Sequence, residues 1–168
     1  MSQADNKVKW CITKSKKELG QGRAHRGLVE IKPSSEEAKN HIQKAEHNFK
    51  AAGSFENTGF SDWAVSASFY TIYHCFLAIA LKFGYESRNQ ECTIALIESL
   101  KEQKKIELDN ELIDTLKSSD EEEMHERSTI MLRENFQYGT NTKIDDKQLL
   151  ALKELCKKAI EQAKKIVY

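Results

Sequence analysis

The chain reads as an all-α protein, an antiparallel up-and-down bundle of five to six helices behind an irregular N-terminal extension. Three observations predict this. First, Ser61 to Gly84, SDWAVSASFYTIYHCFLAIALKFG, carries apolar or small residues around nearly its whole circumference, as a helix in the middle of a bundle does. Second, after the single proline, Pro33, apolar residues recur at helical spacing to the end of the chain. Third, strand alternation is almost absent.

Length and charge bound the answer further. A chain of 168 residues suggests one domain, divided here into an extension over 1–33 and a bundle over 34–168. It is long enough to bury ~70% of the surface its unfolded state exposes. The 26 basic and 26 acidic residues cancel, so overall charge argues neither for a nucleic-acid protein nor for an acidic tail. The distribution is polarised. Residues 1–33 hold eight Lys/Arg against three acids, and residues 107–126 hold nine acids against one Lys. Solvated faces are the simpler reading of both.

Before Pro33, VKWCI (8–12) and LVEI (28–31) read as short extended pieces, and ELGQGRAHRG between them as a loop. Ser34 with Glu37 resembles a capping box. Ala38, Ile42, Ala45, Phe49 and Ala52 then form one stripe of a helix that Gly53 is expected to stop. Asn57-Thr58-Gly59 is a turn, Ser61 or Asp62 caps the central helix, and Gly84 ends it. Asn89 caps a third helix running through Leu100. After the charged connector LKEQKKIELDN, Leu108, Leu112, Ile113 and Leu116 begin a fourth. Ser118-Ser119-Asp120 either kinks it or separates it from a fifth, along which Met124, Arg127, Met131 and Glu134 align. Gly139-Thr140-Asn141 is a loop. Asp145 or Asp146 caps the last helix, whose apolar stripe is Leu149, Leu152, Cys156, Ala159, Ala163 and Ile166.

The four cysteines, Cys11, Cys75, Cys92 and Cys156, are far apart and form no Cys-x-x-Cys pair, which argues against a zinc site. MSQADNKVKW lacks the apolar core of a secretory signal. The expectation is a cytoplasmic protein with reduced thiols, no cofactor and no metal. Ser, Thr, Tyr and His interrupt the central run, which argues against a membrane span although its length allows one.

Several side chains invite chemistry. His74 lies in the most apolar helix, where a hydrogen-bonded core histidine is the simpler reading. His125 sits among acids in EEEMHERS. These favour its charged form, and with Glu121 it makes only two candidate metal ligands. The Gly22–Gly27 loop is basic but lacks the Lys-Ser/Thr ending of a Walker loop. It reads as a solvated loop able to hold phosphates by charge. Trp63, Phe69, Tyr70, Tyr73 and Phe76 suit a core or dimer interface better than base stacking.

AEHNFKAA (45–52), followed by DWAVSASFYTIYHCFLA (62–78) and later by RENFQYG (133–139), resembles the HEPN-domain family over roughly residues 36–167. VKWC (8–11) with Pro33 ahead of the first helix is similar to small prokaryotic stand-alone members. The resemblance implies a dimerising bundle, with a minimal nucleotidyltransferase as possible partner in a toxin–antitoxin-like module. Many members cut RNA without metal, using an Arg followed after four to six residues by a His, at a cleft between subunits. The two roles are physically apt: a base for the 2′-hydroxyl and a cation for the phosphorane. Arg133 takes the first position here. The fifth residue on, where a His of the four-residue spacing stands, is Tyr138. An unperturbed phenol titrates near ~10, a poor general base at neutral pH.

The candidate site is therefore Arg133 and Tyr138, with His74 as a stand-in for the missing base. The first expectation is a dimeric toxin-like or RNA- or nucleotide-binding component with weak or no nuclease activity. The alternatives are a metal-independent ribonuclease using Arg133, and a structural or ligand-binding helical dimer.

Overall fold

The computed structural model describes residues 1–117 and 129–168. Among them run seven helices and one two-stranded sheet. In chain order they are α1 (Gln3–Gly20), β1 (Leu28–Glu30), α2 (Ser35–Asn57), α3 (Ser61–Lys82), β2 (Tyr85–Ser87), α4 (Gln90–Glu102), α5 (Asn110–Leu116), α6 (Thr129–Tyr138) and α7 (Asp146–Val167). The all-α bundle is as expected. The segment Ser118–Asp120, with Glu121, Met124, His125 and Arg127, lies outside the described residues.

The central helix sits where its composition requires. α3 packs against α2, α4, α5, α6, α7 and β2. Phe69, Ile72, Phe76 and Ile79 on it are fully buried. Small residues, Ala64, Ala78 and Ala80, let neighbouring backbones come close. α3 is long and apolar enough to cross a membrane, yet 67% of its apolar window is buried inside the bundle. A second, smaller core forms at its N-terminal end from Ala52, Ala64, Val65, Ile144, Leu149 and Leu152, with Leu132 and Phe136 of α6 against it. The stripe predicted on the last helix is buried as read, Val167 completing it and Ile166 lying partly exposed at its edge.

Two helix ends differ from the expectation. α2 runs through Gly53 for another turn. Gly59 terminates it instead, in the left-handed conformation (φ 85°). Phe60 N–H donates to Phe55 O at 2.8 Å and Gly59 N–H to Glu56 O at 3.2 Å, a Schellman closure. Ser61 does not cap α3. Phe60 holds the cap position without a side-chain bond, and Ser61 Oγ accepts the Ile144 N–H at 3.2 Å, tying α3 to the segment before α7.

The N-terminal extension is a correction. It is not irregular: residues 3–20 form an α-helix, and VKWCI lies inside it rather than in a strand. A capping box starts it. Ser2 Oγ accepts the Asp5 N–H at 3.1 Å, and the Asp5 carboxylate accepts the Ser2 N–H at 3.3 Å. Its inward stripe is Ala4, Val8, Cys11 and Ser15, too small and too polar to register as apolar periodicity. The expected extended piece at LVEI does form, as β1, paired antiparallel with β2 (Leu28 opposite Ser87, Glu30 opposite Tyr85). β1 is drawn tightly onto α1 at Gly27, where a Cβ would stand 2.5 Å from the Cys11 carbonyl oxygen.

The expectation of reduced thiols holds for two cysteines and fails for two. Cys11 of α1 and Cys92 of α4 are joined by a disulfide across 81 residues. Cys75 and Cys156 are free and buried. Burial pushes both thiols up, Cys156 to about 12, so they act as small apolar groups. The cross-link was hidden in sequence because nothing in the spacing shows that α1 and α4 lie side by side.

The disulfide closes a long loop, for which chain entropy gives an upper bound of about 4–5 kcal/mol. Cys11→Ala/Cys92→Ala is expected to lose about 2–4 kcal/mol in urea unfolding, with little change in helix content. An unchanged midpoint would show that the cross-link adds nothing.

Candidate functional site

The described elements cover α3 on all sides but one. On a helical wheel the residues left outward are Trp63, Ser66, Tyr70 and Leu77, with Tyr73 and His74 at the flanks. Trp63 is 59% and Tyr70 45% exposed. This aromatic stripe follows from the same composition that buries the rest of α3: the run is apolar all round, and the described helices leave this side open.

Arg133 borders the stripe on one side. Leu132 and Phe136 of α6 anchor that helix in the smaller core, which turns the intervening Arg133 onto the aromatic rings of α3. Its guanidinium carbon lies 4.2 Å from the Phe69 ring centre and 6.0 Å from that of Tyr70. Phe69 is held in turn by Tyr73, stacked at 5.9 Å. A guanidinium lying over an aromatic face gains cation–π energy while its in-plane N–H groups stay available to an anion. Arg133 Nε is buried and has no hydrogen-bond partner among the described residues.

The other border is a histidine pair. His74 Nδ1 lies 2.8 Å from Nδ1 of His41 on α2, and the rings stack at 5.0 Å. One ring donates and the other accepts, so the pair is bonded only when at least one imidazole is neutral. Burial lowers the His74 pKa to about 4, helped by the nearby charges of His41 and Lys44. Burial lowers that of His41 as well, against the opposing pull of Glu37. His74 lies one turn beyond Tyr70, ~6 Å along the axis.

The three residues singled out from sequence therefore part company. Arg133 and His74 edge the same stripe from its two sides. Tyr138, the last residue of α6, is 80% exposed and turned to solvent. His41 was missed. It sits on the polar side of an amphipathic helix, and only the α2–α3 packing reveals its partner. Among the aromatics, Phe69 and Phe76 belong to the core, Tyr73 is half-buried, and Trp63 and Tyr70 are surface.

The basic loop after α1 is more ordered than a solvated loop. His25 is buried, its Nδ1 3.4 Å from Ser15 Oγ and its Nε2 3.0 Å from a Glu86 carboxylate oxygen. His25 and Arg88 hold the Glu86 carboxyl below its usual range. Arg23 and Arg26 remain exposed. Two clefts lined by described residues lie away from the stripe, one of about 450 Å³ between α1 and α4 and one of about 800 Å³ between the α4–α5 connector and α7. No group of three or more His, Cys, Asp or Glu suited to a metal ion occurs among the described residues.

The lowered histidine pKa predicts a pH dependence. The unfolded chain takes up a proton at His74 below about 6.5, whereas the folded protein resists it down to about 4. The stabilisation is thus present above 6.5 and is lost as pH falls through that window. The wild-type thermal midpoint should drop between these limits, and His74→Gln should flatten the drop. Equal slopes for the two proteins would refute the assignment.

A family model described as HEPN domain matches residues 38–168. Comparison with curated proteins gives no match.

Proposed function

The chain belongs to the HEPN-domain family, and from that premise we propose that it works as a dimeric binding component whose two copies meet on the outward stripe of α3. One observation carries this reading: Trp63 and Tyr70 stand exposed along the most apolar helix, with Arg133 stacked at their edge. Pairing two such stripes about a two-fold axis is self-complementary and buries the aromatics that anchor interfaces. It also brings two Arg133 side chains toward a shared cleft, where an RNA or nucleotide phosphate would find paired cations. A minimal nucleotidyltransferase is the proposed partner in a toxin–antitoxin-like module.

Intrinsic cleavage is proposed to be weak or absent. The position that takes a histidine at the four-residue spacing is Tyr138, and it points to solvent. A second reading has its own support. His74 stays neutral at pH 7 on the flank of the stripe opposite Arg133, the form a general base needs. Its low pKa makes it a feeble one, since the best base titrates near the working pH.

Light scattering at micromolar concentration is expected to give a dimer, and Tyr70→Glu a folded monomer. A monomeric wild type would overturn the dimer reading. With labelled RNA and no metal, wild type should cut little and Tyr138→His more. Strong wild-type cleavage, abolished by both Arg133→Ala and His74→Gln, would put the ribonuclease reading first.

A further inference from the structure

The exposed face of α1 lies outside the matched span of 38–168 and away from the α3 stripe. Lys7, Trp10, Lys14 and Lys17 follow one another at i, i+3, i+7 and i+10, one side of a helix. Trp10 is 52% exposed. The Lys7 ammonium lies 4.6 Å and the Lys14 ammonium 5.3 Å from its ring centre. Lys9 and Lys16 flank the stripe on the adjoining exposed face.

The two acids of the helix are engaged in hydrogen bonds. Asp5 caps the N-terminus and accepts bonds from Ser99 Oγ at 2.6 Å and Gln103 Nε2 at 3.0 Å. Glu18 accepts the Arg26 N–H at 2.7 Å. Lys7 pairs with Glu91 at 3.2 Å, while Lys9, Lys14, Lys16 and Lys17 have no ion-pair partner among the described residues. The face is thus an indole between ammonium groups, with uncompensated positive charge along it.

We propose that this face binds single-stranded nucleic acid, an unpaired base stacking on Trp10 and adjacent phosphates meeting the lysines. Charge complementarity favours a polyanion. The half-exposed indole favours one whose bases are free to stack, a base taking the place of a lysine ammonium over the ring as that ammonium moves onto a phosphate. A membrane surface fits less well. A helix lying in a bilayer interface needs a broad apolar face, and that of α1, Ala4, Val8 and Cys11, is buried in the fold. The surface extends beyond the dimer reading and stands apart from it.

The test is fluorescence anisotropy with labelled single-stranded RNA and DNA 12-mers, a matched duplex, and vesicles of phosphatidylserine and phosphatidylcholine. At least one single strand is expected to bind more tightly than the duplex. Trp10→Ala should weaken binding about tenfold or more, and Trp10→Phe should retain most of it. Lys14→Ala/Lys17→Ala should reduce the slope of log affinity against log salt by about 1.4, at ~0.7 per single-strand phosphate. Circular dichroism and thermal midpoints check that the variants fold. The proposal is overturned if Trp10→Ala binds like wild type, if duplex binds as well as single strand, or if anionic vesicles alone are bound. Binding that Arg133→Ala abolishes and Trp10→Ala spares overturns it too, and assigns the ligand to the α3 stripe.

Discussion

Everything in this fold answers to one constraint: α3 is apolar around its circumference and must be covered. Six elements do most of the covering, and the small side chains of Ala64, Ala78 and Ala80 set how close they come. A close-packed interior leaves no slack for substituting larger groups there. The uncovered remainder is equally a product of the constraint. Trp63 and Tyr70 are outward because the described helices leave that side open, and what borders them, Arg133 from α6 and His41 from α2, becomes the chemistry of that face. On the dimer reading, a second copy is what would complete the coverage.

The N-terminal part is held by a different kind of force. α1 has few large apolar residues to bury. It is fixed by a disulfide from Cys11 to Cys92, by Asp5 on Ser99 and Gln103, and by His25 bridging Ser15 and Glu86. Polar and covalent ties need little apolar area, so the outer face is free to carry lysines and an exposed indole without weakening the attachment. That economy also made α1 hard to read from sequence. Period-3.6 reasoning weighs large apolar residues, and Ala4, Val8, Cys11 and Ser15 hardly register. The Ser2–Asp5 capping box is the legible signal of this helix.

The helices after Pro33 were legible because their stripes are large and regular. Ala38, Ile42 and Ala45 on α2 and Leu149, Leu152 and Cys156 on α7 are buried where their spacing put them. Helix ends were harder. Gly53 and Gly59 look alike in sequence, and only the left-handed backbone at Gly59 separates a stop from a tolerated interior glycine. At the candidate site, Arg133 came from resemblance alone. Its stack on Phe69, 64 positions back, the partnership of His74 with His41, 33 positions apart, and the solvent exposure of Tyr138 are tertiary facts.

The state of Arg133 bears on how such a face would work. Its flat side rests on Phe69, so the cation is partly desolvated before any ligand arrives. Its Nε donor is buried without a partner among the described residues, and an unsatisfied buried donor costs on the order of 1–3 kcal/mol. On the dimer reading, an acceptor supplied across the interface, whether a carboxylate of the second copy or a phosphate held between the copies, would offset that cost and find the guanidinium already oriented. The histidine pair on the far flank works in the opposite sense. Lowered pKa values keep the imidazoles uncharged near neutral pH, so the charge on that flank comes from Lys44, which His74 feels at a distance. Only on the α6 side would an anion meet a guanidinium already oriented on an aromatic face, leaving the aromatic centre for protein–protein contact.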